Sequence, residues 1–392
     1  MPLQILGANL LTPEATLPNH SLFIEHGRIA SISSAPAELD APTMNARGFT
    51  VIPGLIDIHI HGGDGADTMD ATPEAIYTIA RFLARHGVTS YLPTTITASA
   101  ESTRKAIANL RNLPQPEDGA QHLGIHLEGP YLCHEQRGAQ PEAHLRNPDP
   151  AEYADWFSDD PSMNSGQSLV RLITLAPELD GAEELIRHAT ANGVEIALGH
   201  TAANEATTRA AINLGVKQAT HIFSGMPAFH HRLLNVLGVA LTDDRLYAQT
   251  IVDGVHIHPD VVRMLTRLKS PQRLILISDS IRAAGLGDGE YDLGGEIVRV
   301  QNGITRRAYD GGLAGSTLTM DAALRNMMKF ANLSLAEALP MATSVPAEAM
   351  GWSGHKGVIR VGADADLVFL DDKFNVCLTM VGGRVVYQTQ EF

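Results

Sequence analysis

The middle of the chain alternates short apolar runs with stretches of helical periodicity. Because buried parallel strands are apolar on both faces, we interpret the runs as strands of one sheet. The runs lie at 54–60, 88–94, 122–128, 169–175, 194–200, 216–222, 247–253 and 273–279. The helical stretches lie at 73–86, 101–112, 181–191, 203–214 and 259–268. Eight strands with crossover helices predict an α/β fold of the TIM-type (β/α)8 barrel class, with a doubly wound sheet as the competing topology.

The two chain ends have a different pattern from the middle. Both contain short strand-like runs that are separated by glycine and proline. Neither end is long enough to form a core alone, so we expect residues 1–52 and 354–392 to pair into one small β-sandwich domain. Residues 53–353 would then form the barrel, a catalytic domain inserted between the two ends, with further helices near 320–330 and 335–349.

Composition and charge limit the compartment and the partners. A formal net charge of −15 argues against nucleic acid and anionic membranes as partners, although a local pocket of Arg and His could hold an anionic substrate. The two cysteines, Cys133 and Cys377, imply no disulfide framework. No secretory signal and no run of about 18 apolar residues is present. We therefore predict a cytoplasmic protein with no nucleic-acid or membrane partner.

His59 and His61 are the first candidates for chemistry. They end the apolar run of PGLIDIHIHGG, and glycines follow them. Residues two apart in a strand point to the same face, so the two imidazoles can be presented side by side. Imidazole is a good ligand for zinc or iron. The pair therefore indicates either a metal site or two hydrogen-bonded core residues.

Polar residues also end other predicted strands, at the edge where barrel active sites are built. These residues are Glu128, His200, His221, Asp279 and, after the seventh strand, His256. Taken singly, His200 or Asp279 could cap a helix and His221 could fill core. Because a closed barrel brings all of these strand ends to one place, their joint occurrence favours a functional site.

This mixture of residues favours metal-assisted hydrolysis, most simply of an amide. Several imidazoles could hold two divalent metals that a carboxylate, Glu128, bridges. Asp279 could take a proton from the attacking water and hand it to the leaving group. His256 could donate a hydrogen bond to the carbonyl oxygen as negative charge develops there.

The motifs resemble those of a known family. PGLIDIHIHGGDGADTMD, GIHLEGPYL, ALGHTAAN, ATHIFSGMP, IVDGVHIHP, SDSIRAAGLGDGEYDLGG and AGSTLTM are similar, in order along the chain, to the N-acetylglucosamine-6-phosphate deacetylases of the amidohydrolase superfamily. The resemblance implies hydrolysis of N-acetylglucosamine 6-phosphate to glucosamine 6-phosphate and acetate. It also implies one or two divalent metals per chain (zinc, or else iron, manganese or cobalt) and a homodimer. Some members of this family lack the first histidine pair and hold one metal.

The resemblance assigns roles to individual residues. It implies that Asp279 is the general base and acid and that His256 contacts the acetyl carbonyl. The implied metal ligands are His59, His61, Glu128, His200, His221 and Asp279. Relatives that bridge their metals with a carboxylated lysine are a poor match, because Lys217 is the only lysine on a predicted strand and it lies at the strand's start.

The resemblance is weaker around the substrate. Gln140 is expected to contact a sugar hydroxyl. Where the family has an Asn-Ala pair for the substrate, this chain has Ser224 and Gly225. Arg232 could bind the phosphate, in part across a dimer interface, although the family's following Glu-Pro-Gly is absent.

Alternatives therefore stay open for the substrate and for two neighbouring residues. A galactosamine isomer or an N-acyl-D-amino acid could be the substrate, and a non-catalytic scaffold is the alternative outside enzymes. His126 could support the site or fill core, and Cys133 is expected to be a small apolar filler.

Overall fold

The computed structural model describes residues 2–35, 41–111, 113–157, 168–390 and 392. The N-terminal segment forms strands that alternate buried and more exposed positions. Its strands are β1 (Leu3–Leu11), β2 (Thr16–Glu25), β3 (Arg28–Ser33), β4 (Thr43–Asn45) and β5 (Thr50–Pro53). β1 pairs antiparallel with β2 and parallel with β4 and β5. These strands form one side of a sheet that the C-terminal segment completes.

A parallel barrel follows directly. A small hairpin, β7 (Gly62–Gly63) and β8 (Ala66–Asp67), projects from the end of its first strand, and its third strand is split into two pieces. The barrel strands are β6 (Leu55–Ile60), β9 (Val88–Thr95), β10 (Gln121–His122) with β11 (Ile125–Glu128), β12 (Val170–Leu175), β13 (Glu195–Leu198), β14 (Gln218–Ala219), β15 (Tyr247–Thr250) and β16 (Leu274–Leu276). Every residue of β6 and β9 is buried, as expected of parallel strands that are covered on both faces.

Helices connect the barrel strands. Thr72 and His258 cap helix starts that have proline at the first helical position, where the missing N–H costs little. The helices are α1 (Pro73–Arg85), α2 (Ala100–Leu110), α3 (Pro150–Tyr153), α4 (Ala182–Ala191), α5 (Glu205–Asn213), α6 (Val236–Thr242), α7 (Pro259–Leu268), α8 (Met320–Ala331), α9 (Leu335–Ala338) and α10 (Ser344–Ala349). In the ranges that the structure describes, no helix is both long and apolar enough to cross a membrane.

The barrel closes between its first and last strands without a regular ladder. Among the described residues, β6 pairs only with β9, and β16 pairs only with β15. A few backbone bonds join the two strand ends instead: Asp279 N–H donates to the His59 carbonyl at 2.9 Å, and the N–H groups of His61 and Gly62 donate to the Ser280 carbonyl at 2.9 and 3.0 Å. We call this junction the seam.

A three-stranded antiparallel sheet follows the last barrel strand. It consists of β17 (Gly289–Leu293), β18 (Glu296–Gln301) and β19 (Ile304–Arg307), and we call it the flap. Two-residue turns, Gly294-Gly295 and Asn302-Gly303, join its strands with positive φ at each turn residue. The flap buries Leu293 and Val298 in a small core with Ile96 from the barrel.

The C-terminal strands complete the first sheet. β20 (Leu367–Leu370) pairs antiparallel with β5, and β21 (Val376–Val381) and β22 (Arg384–Gln388) extend the sheet. Residues from both chain ends, including Ile5, Leu22, Phe369 and Met380, enclose a core separate from that of the barrel. The predicted fold class is confirmed, while the domain boundaries at 52/53 and 353/354 stay a prediction.

Candidate active site

A cavity of about 280 Å³ opens at the carboxyl ends of the barrel strands. Its size is close to that of ordinary small-molecule sites. Side chains from the barrel form a polar wall of the cavity. The flap and the segment after it form an apolar wall. The lining residues are His61, Ile96, Glu128, Gly138, Ala139, Gln140, His200, His221, Ser224, Gly225, His256, Asp279, Leu293, Leu313, Ala314 and Gly315.

The strand histidines lie at the base of this cavity beside the last strand. The Nε2 atoms of His59 and His61 are 3.4 Å apart, and Asp279 Oδ1 lies 3.4 Å from the first and 3.3 Å from the second. All three residues are buried. The predicted pair therefore forms, with Asp279, one cluster of donor atoms that lie within 4.8 Å of one another.

Glu128, His200 and His221 form a second cluster directly beside the first. Glu128 Oε1 lies 3.2 Å from His200 Nε2 and 2.9 Å from His221 Nε2. The same carboxylate reaches the first cluster, with 3.3 Å between Oε2 and His61 Nε2. Glu128 thus stands between the two clusters, where a bridging ligand would have to be.

Three of these residues have a backbone that non-glycine residues seldom adopt. The φ angles are +48° at His200, +24° at His221 and +50° at Asp279. Such conformations cost on the order of 1–3 kcal/mol each and persist only where the surrounding structure imposes them. Here each one turns the chain at the end of a barrel strand, next to the cavity.

The carboxylates of the two clusters are held in their ionised form. Burial alone would raise the pKa of Glu128, but nearby His59 and hydrogen bonds from His200 and His221 hold it well below its usual value. Burial alone would also raise the pKa of Asp279, but nearby His59 and His61 outweigh burial and lower it. Conversely, burial would lower the pKa of His61, but its bonds to Asp279 and Glu128 raise it well above its usual value.

This donor set fits divalent metal ions. The Nε2 atoms of His200 and His221 face each other at 3.1 Å, a distance at which two nitrogen lone pairs need a shared proton or cation between them. The ionised carboxylates supply the opposite charge, and a cation would replace the proton that His61 otherwise holds. Mixed imidazole and carboxylate ligands suit zinc, iron, manganese or cobalt.

His126 packs below the first cluster in a buried polar layer. Its ring lies edge-on to His59 at 4.7 Å, and its Nε2 is 2.8 Å from Thr174 Oγ1. Burial, together with the neighbouring His59, holds the pKa of His126 well below its usual value, so the ring is neutral. His126 therefore packs in the core and also supports His59, so the structure is compatible with both interpretations that the sequence left open.

His256 projects into the cavity with its other ring nitrogen occupied. Its Nδ1 is 2.7 Å from Asp253 Oδ2, and Asp253 Oδ1 accepts bonds from the backbone N–H groups of Val255 and His256. Burial would lower the pKa of His256, but the bond to Asp253 and its charge raise it. The neutral ring would carry its proton on Nδ1, so only the protonated ring also has an Nε2–H to donate.

Of the predicted substrate residues, Gln140, Ser224 and Gly225 line the cavity. Gln140 Oε1 accepts the Thr97 N–H at 2.8 Å, so its amide nitrogen faces Glu128 and donates to Oε2 at 2.6 Å. Gly225 has φ +59°, and a Cβ there would lie 2.8 Å from His200 Nδ1, so a larger residue would have to displace the His200 ring.

Arg232 lies apart from this group. It is exposed, its guanidinium is 3.0 Å from His231 Nε2, and it does not line the cavity. Cys133 is buried in the loop after Glu128, and its thiol donates to Glu135.

Sequence reasoning missed the apolar wall of the cavity, which Leu293, Leu313 and Ala314 form. Two signals were available. The alternating pattern with Gly294-Gly295 and Asn302-Gly303 is typical of hairpins, and AGSTLTM was part of the resemblance without a role.

The sequence reasoning also gave no role to Asp253 or Asp57. The latter is a fully buried carboxyl whose pKa burial raises to about 6, although bonds from Ser278 and His59 lower it.

The family model described as the amidohydrolase family matches residues 50–386. The chain belongs to the amidohydrolase family. Within it, the N-acetylglucosamine-6-phosphate deacetylase of Bacillus subtilis (strain 168) is 37% identical over 388 residues, 97% of this chain and 96% of the relative. The N-acetylgalactosamine-6-phosphate deacetylase of Escherichia coli O157:H7 is 38% identical over 380 residues, 96% of this chain and 97% of the relative.

A solved structure extends this similarity to the fold. It is the N-acetyl-D-glucosamine-6-phosphate deacetylase of Mycobacterium smegmatis in complex with N-acetyl-D-glucosamine-6-phosphate. The TM-score is 0.88 at 32% identity, and the match covers 99% of each chain. The similarity therefore includes the terminal sheet and the flap as well as the barrel of this amidohydrolase.

Proposed function

We propose that the chain removes the acetyl group from N-acetylglucosamine 6-phosphate, giving glucosamine 6-phosphate and acetate. The observation that carries this proposal is the pair of buried donor clusters that Glu128 joins at the base of the cavity. The similarity to deacetylases over nearly the whole chain supports the substrate class.

The clusters would hold one or two divalent metals. His59, His61 and Asp279 would bind one, and Glu128, His200 and His221 the other. When bound, the metal would lower the pKa of a water molecule and polarise the amide carbonyl. Zinc as the metal, the homodimer and the cytoplasmic location stay predictions.

Asp279 would move the proton. Its carboxylate lines the cavity and is ionised, so it can accept a proton from the attacking water. The same carboxyl can then pass that proton to the amine nitrogen as the C–N bond breaks. An amine leaves far more readily than an amide anion, so this transfer completes the hydrolysis.

His256 would stabilise the negative charge on the acetyl oxygen. Asp253 fixes a proton on Nδ1 and favours the charged ring, in which Nε2 carries a proton as well. Because His256 lines the cavity, this second N–H can donate to the acetyl oxygen. A donor that is in place before the reaction stabilises the developing oxyanion without a cost of reorganisation.

The remaining cavity residues would bind the sugar. The second N–H of the Gln140 amide can donate to a sugar hydroxyl while the first holds Glu128. Ser224 offers a hydroxyl and Gly225 leaves room beside His200. Arg232 would reach the phosphate only from another subunit or after its loop moves, because within one chain it is exposed and outside the cavity.

A second candidate is the galactosamine isomer of the same substrate. The E. coli relative with that name and the presence of Ser224 in place of the expected asparagine favour testing it. Acetate release should be measured with N-acetylglucosamine and N-acetylgalactosamine, each with and without the 6-phosphate. We expect the highest kcat/KM with N-acetylglucosamine 6-phosphate. A higher value with the galactosamine phosphate would reassign the substrate, and equal rates without phosphate would refute a phosphate site.

A further inference from the structure

Asp57 is a buried carboxylate that joins the first and last barrel strands. It lies on β6, two residues before His59, and is fully buried. Its Oδ2 accepts the Ser278 hydroxyl at 2.6 Å, and its Oδ1 accepts the backbone N–H of His59 at 3.2 Å and of Ser278 at 3.4 Å. One side chain therefore holds both strands at the level just below the metal cluster.

The seam needs such a link because no ladder joins β6 and β16 in the described ranges. Besides Asp57, three backbone bonds cross the junction: Asp279 N–H donates to the His59 carbonyl, and the N–H groups of His61 and Gly62 both donate to the Ser280 carbonyl. Ser278 is tied in turn to the segment after the flap, since its carbonyl accepts the Ser316 hydroxyl at 2.6 Å. The position of the last strand at the seam is thus set largely by these few contacts.

The two donor clusters depend on the seam to different extents. His59 lies on the first strand, His61 directly follows that strand and Asp279 follows the last, so the first cluster straddles the seam. Glu128 ends the third strand, and His200 and His221 follow the fifth and sixth; ladders of backbone pairs hold these three strands to their neighbours. A shift of one strand along the seam would separate the donors of the first cluster and leave the second cluster in place.

We propose that Asp57 is a positioning residue that fixes the His59–His61–Asp279 cluster by locking the seam, and that the Glu128–His200–His221 cluster does not depend on it. This inference rests on the proposed function, because it assumes that both clusters take a metal. Asp57 neither lines the cavity nor belongs to either donor cluster. It acts through the backbone of His59 and through Ser278, which immediately precedes Asp279.

Zinc titration of the metal-free protein tests the proposal by counting equivalents rather than by activity. The wild-type chain should take up two. Asp57→Ala should keep one equivalent at near wild-type affinity and bind the other about 10- to 100-fold more weakly, the usual effect of removing a partner that orients a ligand. Ser278→Ala, which removes the 2.6 Å bond, should weaken the same equivalent.

Asp57→Asn keeps an oxygen for the two backbone N–H groups and an amide beside the Ser278 hydroxyl. It should recover most of the lost affinity, and it serves as the test if Asp57→Ala does not fold. The matched control is Gln249→Leu, because Gln249 makes a buried cross-strand bond of 2.9 Å to Gln218 at another junction of the barrel. This control should bind two equivalents as the wild type does.

Kinetics give a second readout. Because Asp279 is in the affected cluster, Asp57→Ala should lower kcat by at least tenfold with KM changed less than threefold. The proposal is overturned if Asp57→Ala binds both equivalents normally, if both are weakened equally, or if the wild type saturates at one equivalent. A wild-type chain that binds no zinc and yet releases acetate would refute the metal site of the proposed function itself.

Discussion

At the scale of single residues, the donors at the strand ends were predictable and their partners were not. His59, Glu128, His200 and Asp279 stand out because reactive side chains end apolar runs. By contrast, the sequence pattern does not indicate that Asp253 holds Nδ1 of His256 or that Gln140 donates to Glu128. Such partners depend on rotamers and loop paths, which have no period in the sequence.

The role of His256 leads to a prediction about pH. In the wild type, Asp253 raises the pKa of His256, so the donor form persists until the pH rises through that raised pKa. Asp253→Asn removes the negative charge, and the pKa of His256 should fall. The alkaline limb of kcat/KM should therefore move to lower pH, and kcat near neutral pH should fall by roughly 10²-fold, as for other lost oxyanion donors.

The measurement is the pH profile of acetate release for both proteins. Asp260→Asn is a suitable control, because Asp260 is an exposed aspartate that pairs with Arg263 on α7. An alkaline limb that stays at the wild-type pH in Asp253→Asn would show that His256 does not act as the charged donor.

At the scale of elements, the barrel strands and the amphipathic helices between them followed from the pattern, whereas α6 and the flap did not. All residues of α6 from Val236 to Leu241 are buried, so the helix needs no polar face. Its sequence therefore lacks the alternation of apolar and polar positions by which an amphipathic helix is recognised. Its start is set by Asn235, whose side chain accepts the Gly238 N–H. The flap carried hairpin signals, but its position over the cavity depends on tertiary contacts.

Arg307 is one such contact between the flap and the substrate loop. It pairs with Asp310 through two bonds of 2.9 and 2.8 Å and donates to the Gly138 carbonyl, two residues before Gln140. Arg307→Ala should loosen that loop and raise KM by about three- to tenfold, since the lost bonds are each worth roughly 1–3 kcal/mol. Metal content should not change.

Steady-state kinetics with Arg299→Ala as the control would test this prediction. Arg299 lies on the neighbouring flap strand, and its side chain is 63% exposed and pairs with Glu290. A KM in Arg307→Ala no higher than in Arg299→Ala would mean that the flap does not position the substrate loop.

At the scale of the whole molecule, the eight-strand count favoured the barrel over a doubly wound sheet only together with the polar residues at the strand ends. How the terminal sheet attaches to it was not predictable, because the attachment uses a buried ion pair between distant segments. Lys356 Nζ lies 2.6 Å from Asp366 and 3.2 Å from Asp364, and it also donates to Gln121 on β10 at 3.1 Å. The carboxylates outweigh burial and raise the pKa of Lys356.

Lys356→Met should lower the free energy of unfolding by about 3–5 kcal/mol, because it leaves the buried Asp366 carboxylate without its partner. Chemical denaturation would measure this loss. Lys217→Met is the matched control, since the Lys217 side chain is 53% exposed and its pair with Glu195 should be worth under about 1 kcal/mol. Equal losses in the two variants would show that the buried pair does not hold the sheet to the barrel.

The central claim is that Asp279 transfers the proton at a metal site that hydrolyses the acetyl amide. The direct measurement is acetate release from N-acetylglucosamine 6-phosphate by the wild type, Asp279→Asn and the exposed-residue control Asp244→Asn, each reloaded to a measured metal content. We predict that Asp279→Asn loses roughly 10²- to 10⁴-fold in kcat when it is compared with the wild type at equal metal content. Wild-type turnover in Asp279→Asn at equal metal content would contradict the account.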